Sequence, residues 1–100
     1  MKEEQALKEI KKLALSGHSE PCFFLGKYFS DYSHLDEKET HKWFKLGADL
    51  GHELCQVYCG HDFEVGEGCE KDLKLAEYYY DLAAKQGNEM ARLASLKFKI

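Results

Sequence analysis

One hundred residues, 44% apolar and 13% aromatic, supply one continuous core and leave little material for a second domain. The formal net charge of −4 denies the chain the local excess of Lys and Arg that a phosphate-neutralising surface needs, which argues against nucleic acid as a partner. The first ten residues carry acids where a secretion signal needs a basic start and an apolar run, and no apolar stretch approaches the roughly 18 residues that would span a bilayer. A cytoplasmic location away from membranes is the expectation.

The first predicted helix, 2–16, turns its Lys and Glu side outward. Its inward stripe is Ala6, Ile10, Leu13 and Ala14, spaced i, i+4, i+7 and i+8 with Leu7 beside them. It ends in Ala14-Leu15-Ser16-Gly17-His18. The second helix, 19–30, points Phe23, Leu25, Gly26 and Phe29 inward and leaves Phe24, Lys27 and Tyr28 outward. The third, 36–49, repeats the first: Thr40, Phe44, Gly47 and Ala48 face inward, and Ala48-Asp49-Leu50-Gly51-His52 closes it. The fourth, 53–64, repeats the second, with Val57, Cys59, Gly60 and Phe63 inward and Gln56, Tyr58, His61 and Asp62 outward. The fifth, 70–86, carries Ala76, Tyr80, Ala83 and Ala84 and ends in Ala84-Lys85-Gln86-Gly87-Asn88. The sixth runs from 88 to the end; it keeps Leu93 in register but departs from the pattern at Ser95, Leu96 and Lys99. Its stripe Leu93, Leu96 and Ile100 is expected to pack against helix 70–86, with an interaction edge as the alternative.

The three glycines Gly17, Gly51 and Gly87 stand 34 and then 36 residues apart. Self-similarity at such a period is the signature of stacked helical units. Each Gly suits a helix end in the left-handed conformation. The two-residue difference between units falls in a loop, where Gly66-Glu67-Gly68 of the second unit replaces Asp31-Tyr32-Ser33-His34 of the first. The predicted organisation is one all-α domain over 1–100: units of about 18–51 and 52–87, with flanking helices 2–16 and 88–100.

The cysteines and histidines offer little chemistry. His52, Cys55 and Cys59 share one side of a helix and His61 follows, but zinc sites favour paired ligands from two places. Cys55 and Cys59 also occupy core positions, where a free Cys behaves as a small hydrophobe. No metal and no cofactor are therefore expected. Disulfides are disfavoured by the cytosolic setting, and Cys22 is expected to be the most exposed thiol. His34 with Asp36, His41, and His61 with Asp62 provide acid and base types without a nucleophile or an oxyanion feature, so no catalytic residue is assigned. Gly66-Glu67-Gly68 lacks the Lys and the preceding strand of a phosphate loop.

The residues Cys59-Gly60 with Phe63, Gly66-Glu67-Gly68-Cys69 with Asp72, Ala76, Tyr79-Tyr80 and Ala83-Ala84-Lys85-Gln86-Gly87 resemble the Sel-1-like repeat family, a relative of the tetratricopeptide repeat. Leu25-Gly26, Phe29, Asp36, Trp43-Phe44 and Ala48 carry the likeness in the first unit, which lacks the paired glycines and has Pro21 where Ala is usual. Cysteine at 55, 59 and 69 stands where the family pattern has Ala, Leu and Val. The resemblance implies an α/α right-handed superhelix, a solenoid of about two such repeats plus flanking half-repeat helices. It further implies forward helices lining a concave face, and use as an adaptor for other proteins with no general active site.

Phe24 and Tyr58 fall at one register position and are expected to be neighbours on that face, unless a twist of the stack buries one. With Lys27, Tyr28, Gln56, His61 and Asp62 they form the predicted partner-binding surface. The partner is a protein, and the acidic balance suits a basic one. The function so read is non-enzymatic protein binding by a monomer or weak dimer. One alternative is an immunity protein occluding the active site of a bacterial toxin; a remote one is a small cysteine-dependent hydrolase.

Overall fold

The computed structural model describes residues 2–100. Six α-helices follow in order: α1 Lys2–Leu15, α2 Ser19–Ser30, α3 Glu37–Asp49, α4 Glu53–Val65, α5 Leu73–Lys85 and α6 Glu89–Lys97, with a short 3-10 turn at Tyr32–His34. Each packs chiefly on its neighbours in sequence, and α2 also touches α4 directly. The stack is an elongated 51 × 23 × 17 Å solid. It is an all-α solenoid, as the period requires. Among the described residues no helix is long and apolar enough to cross a membrane.

The helix ends follow from single residues. Asp36 and Asp72, 36 positions apart, each accept a hydrogen bond at 3.1 Å from the backbone N–H three residues on, at Glu39 and Leu75. Such caps satisfy a donor that the first helical turn leaves free. They also set the start of α5 at Leu73, three residues later than the hydrophobic pattern suggests. At the other ends Gly17, Gly51 and Gly87 have φ of +100°, +97° and +98°. The following residue then donates back across each turn, His18 to Leu13, His52 to Gly47 and Asn88 to Ala83. Both the conformation and the bond are those of a Schellman closure.

Two glycines repeat for a different reason. A Cβ on Gly26 would lie 2.3 Å from Cε1 of Phe44, and one on Gly60 would lie 2.9 Å from Cδ1 of Tyr80. Each glycine therefore admits an aromatic ring of the next helix against bare backbone. The resulting core has two parts. Phe44, Ala48, Cys55, Cys59, Phe63, Ala76, Tyr79, Tyr80, Ala83 and Ala91 fill the larger, and Ala14, Cys22, Leu25 and Trp43 the smaller.

Three expectations about burial are overturned. Ala6 and Leu13 face solvent, because α1 packs through Leu7, Ile10 and Ala14. Leu13 is rotated about 100° from Ala14, beyond that stripe. The Leu93, Leu96 and Ile100 stripe does not pack on α5: Leu93 is 59% and Leu96 45% exposed. Ala91, Ala94, Ser95 and Phe98 take that contact instead, their small members letting α6 approach closely. Cys22 is fully buried, its Cβ over Gly47 and its Sγ donating to the His18 carbonyl at 3.5 Å, so it is no exposed thiol.

Candidate functional site

The outward positions of α2 and α4 divide into an exposed group and a structural group. Phe24 is 50% and Tyr58 37% exposed, and Lys27 and His61 also face solvent. Gln56 and Asp62 do not, contrary to their outward assignment. Gln56 lies in the seam between the ends of α3 and α5, where its Nε2 donates to the Ala48 carbonyl at 3.2 Å and its Oε1 accepts from Gln86 at 2.9 Å. Asp62 is buried 2.9 Å from Nδ1 of His41. Its register equivalent Tyr28 is half-buried and donates to Glu3 of α1. This position therefore turns back toward the preceding helix in both units, as helical spacing alone does not reveal.

Lys27, one turn along α2 from Phe24, ties that helix to Tyr58 of α4. The Lys27 Nζ is 3.5 Å from the Tyr58 hydroxyl and 5.3 Å from the centre of its ring. Such an ammonium is attracted to the negative face of the ring. Tyr58 stacks on Phe44 at 4.7 Å and tilts against Phe23 at 6.3 Å, so its ring is braced from beneath. Phe24 pairs instead with Tyr28 at 6.4 Å, and Tyr28 stacks on His34 at 4.1 Å. The face therefore presents an aromatic track along α2 and a single ring, Tyr58, on α4.

Sequence reasoning missed the part played by His52. Its Nδ1 accepts from the Cys55 N–H at 3.2 Å to cap α4, its Nε2 meets Glu20 at 3.0 Å, and its ring stacks on Phe23 at 4.9 Å. The signal was its place before α4, where a capping side chain is wanted. These commitments also take His52 out of any site with Cys55 and Cys59. Another group of ligand-type atoms, on His61, Asp62 and Glu67, lies within a mutual 4.8 Å, but Asp62 is already engaged by His41.

The buried thiols are ill suited to nucleophilic attack. Burial pushes the Cys55 thiol up to about 12 and raises Cys59, Cys22 and Cys69 as well. A thiol held protonated is a poor nucleophile. The hydrogen bond to Glu3 raises the Tyr28 hydroxyl to about 12. Burial raises Asp62, against the lowering effect of the His41 bond.

Residues 22–52 and 54–88 each match the Sel1 repeat. The chain is 37% identical over 89 residues to mouse DAP3-binding cell death enhancer 1, covering 89% of this chain and 18% of that protein. It is 37% identical over 65 residues to chitin synthase regulatory factor 4 of Schizosaccharomyces pombe, covering 64% of this chain and 10% of the other. The chain thus spans less than a fifth of the length of these curated relatives. Among solved structures, a Sel1 repeat protein from Oxalobacter formigenes superposes with a TM-score of 0.81 at 28% identity, over 94% of this chain and 72% of the other. A protective antigen of uropathogenic Escherichia coli with an SLR fold gives 0.76 at 32% identity, over 87% of this chain and 19% of the other. With two units matched over most of its length and the glycine-closed helix pairs that they require, the chain belongs to the Sel1 repeat family.

Proposed function

We propose that this chain is a non-enzymatic protein-binding module, acting as one domain of two Sel1 units with flanking half units. Its partner docks on the face formed by α2 and α4. The observation that carries this reading is the pair Phe24 and Tyr58: two large aromatic side chains at equivalent positions of α2 and α4, both substantially exposed, with Tyr58 stacked on Phe44 and Phe24 paired with Tyr28. Aromatic anchors with a polar rim are what binding hot spots are made of. Lys27, Tyr28 and His61 supply that rim, while Gln56 and Asp62 act from beneath as supports.

The relatives point the same way. One is named for binding DAP3 and another for regulating chitin synthase, both of them relations between proteins. The test is affinity capture from a native lysate with wild-type protein beside Phe24→Ala/Tyr58→Ala, both checked for helicity by circular dichroism. A partner held by the wild type and lost by the folded double variant supports the reading. Equal retention by both moves the site elsewhere. Recovery of a toxin as that partner would assign the immunity role in particular.

A further inference from the structure

The chemistry of the occupant is written in the register of the outward positions. Counting 34 residues from α2 to α4 and 36 from α4 to α6 brings Lys27, His61 and Lys97 to one row, and Glu20, Leu54 and Met90 to another. The row containing Phe24 and Tyr58 lies between them. All of these side chains are exposed. The molecule carries a net negative charge, yet its forward helices set nitrogen-bearing side chains beside an aromatic track.

Most of the acids on the same helices already have a partner. Glu20 meets His52, Glu53 accepts from Asn88 at 2.9 Å, and Glu64 accepts from Tyr80 and pairs with Lys97. His61 has Asp62 and Glu67 close by. The uncompensated cation is at the other end of the row. Among the described residues Lys27 has no carboxylate partner, and its ammonium rests only against the ring and hydroxyl of Tyr58. Local charge is what an approaching segment meets, because fields beyond about 8–10 Å are screened at physiological salt.

We infer that the α2–α4 face takes an extended acidic segment bearing aromatic or aliphatic side chains. One of its carboxylates lies on Lys27 and the Tyr58 hydroxyl, and its apolar side chains lie on Phe24 and Leu54. This rests on the reading of that face as the partner surface. It reverses the basic partner that net charge alone suggests.

A random peptide library displayed on phage, selected on the full chain, tests the inference. Enriched peptides are then synthesised and titrated against wild type, Phe24→Ala/Tyr58→Ala, Lys27→Gln, Lys27→Glu and Tyr58→Phe, each verified as folded. The expected result is a pool combining Asp or Glu with apolar residues, weakened about tenfold by Lys27→Glu and less by Lys27→Gln. Neutral or basic peptides that still depend on Phe24 and Tyr58 would overturn the acidic occupant and leave the face reading standing. Acidic peptides indifferent to Lys27→Glu would overturn the placement of the carboxylate. A pool insensitive to Phe24→Ala/Tyr58→Ala, or no enrichment, would overturn both.

Discussion

The imidazole of His41 on α3 and the carboxylate of Asp62 on α4 meet at 2.9 Å in a buried seam. The His41 ring also stands edge-on to Phe63 at 4.9 Å, so the pair is wedged into the core of the second unit. Beside it, Gly68 of the α4–α5 loop comes so close to the Glu37 carbonyl that a Cβ there would lie 2.2 Å from the oxygen. The pair and the loop together tie one Sel1 unit to the next.

Removing one partner of this pair leaves a buried polar group unsatisfied. Asp62→Ala should cost about 1–3 kcal/mol, and Asp62→Asn less, since an amide oxygen still accepts from Nδ1. Urea denaturation at neutral pH measures both.

The same carboxyl gives a pH signature. Burial raises it above its ordinary value, so the folded protein holds this proton more tightly than the unfolded chain does. Its contribution to stability is then full below the ordinary value of 3.8 and declines as pH rises through the raised one. Because Asp62→Asn does not titrate at this position, its stability relative to wild type should improve as pH rises from 3.8 through the raised value and then level off. A difference that stays flat over this range would rule out the raised carboxyl.

Gly26→Ala and Gly60→Ala should each destabilise by about 1–3 kcal/mol, the usual cost of forcing atoms into a filled contact. The first should cost more, since its Cβ would meet Phe44 at 2.3 Å against 2.9 Å for Gly60 and Tyr80. Combining Gly26→Ala with Phe44→Leu should recover part of the loss. Thermal melts of the single and double variants decide this.

Phe24→Ala should leave the melting temperature nearly unchanged, because the ring is half exposed and pairs only with Tyr28. Tyr58→Ala should cost about 1 kcal/mol through the lost stack on Phe44. Lost binding by Phe24→Ala alone is therefore separable from unfolding, and calorimetry on both variants checks the premise.

Under native conditions Cys22, Cys55 and Cys59 should label far more slowly than Cys69, which is partly exposed. Labelling by a maleimide followed by mass spectrometry gives the order. Rapid modification of Cys22 would contradict its burial beneath α3.

The architecture was legible because repetition makes it so. One glycine context recurring every 34 or 36 residues requires that whatever closes one helix pair closes the next, and the three positive φ values follow from it. The exposed pair Phe24 and Tyr58 was legible for the same reason. Gln56, Asp62 and Cys22 were not, since each sits on the boundary of its helix face, where spacing within one helix does not decide burial. Their burial depends on a second helix: the end of α3 carrying Ala48 for Gln56, His41 for Asp62, and the bare backbone of Gly47 for Cys22.

Local pattern and turn chemistry in the sequence thus determined the helices, their closures and the order of stacking. Only the tertiary structure decided which boundary residues are sealed between helices, that the Leu93 and Leu96 stripe stays open, and that Lys27 is poised over Tyr58. The physical reason is that a hydrophobic stripe states which side of a helix is buried, whereas the crossing of two helices decides how wide that buried side becomes.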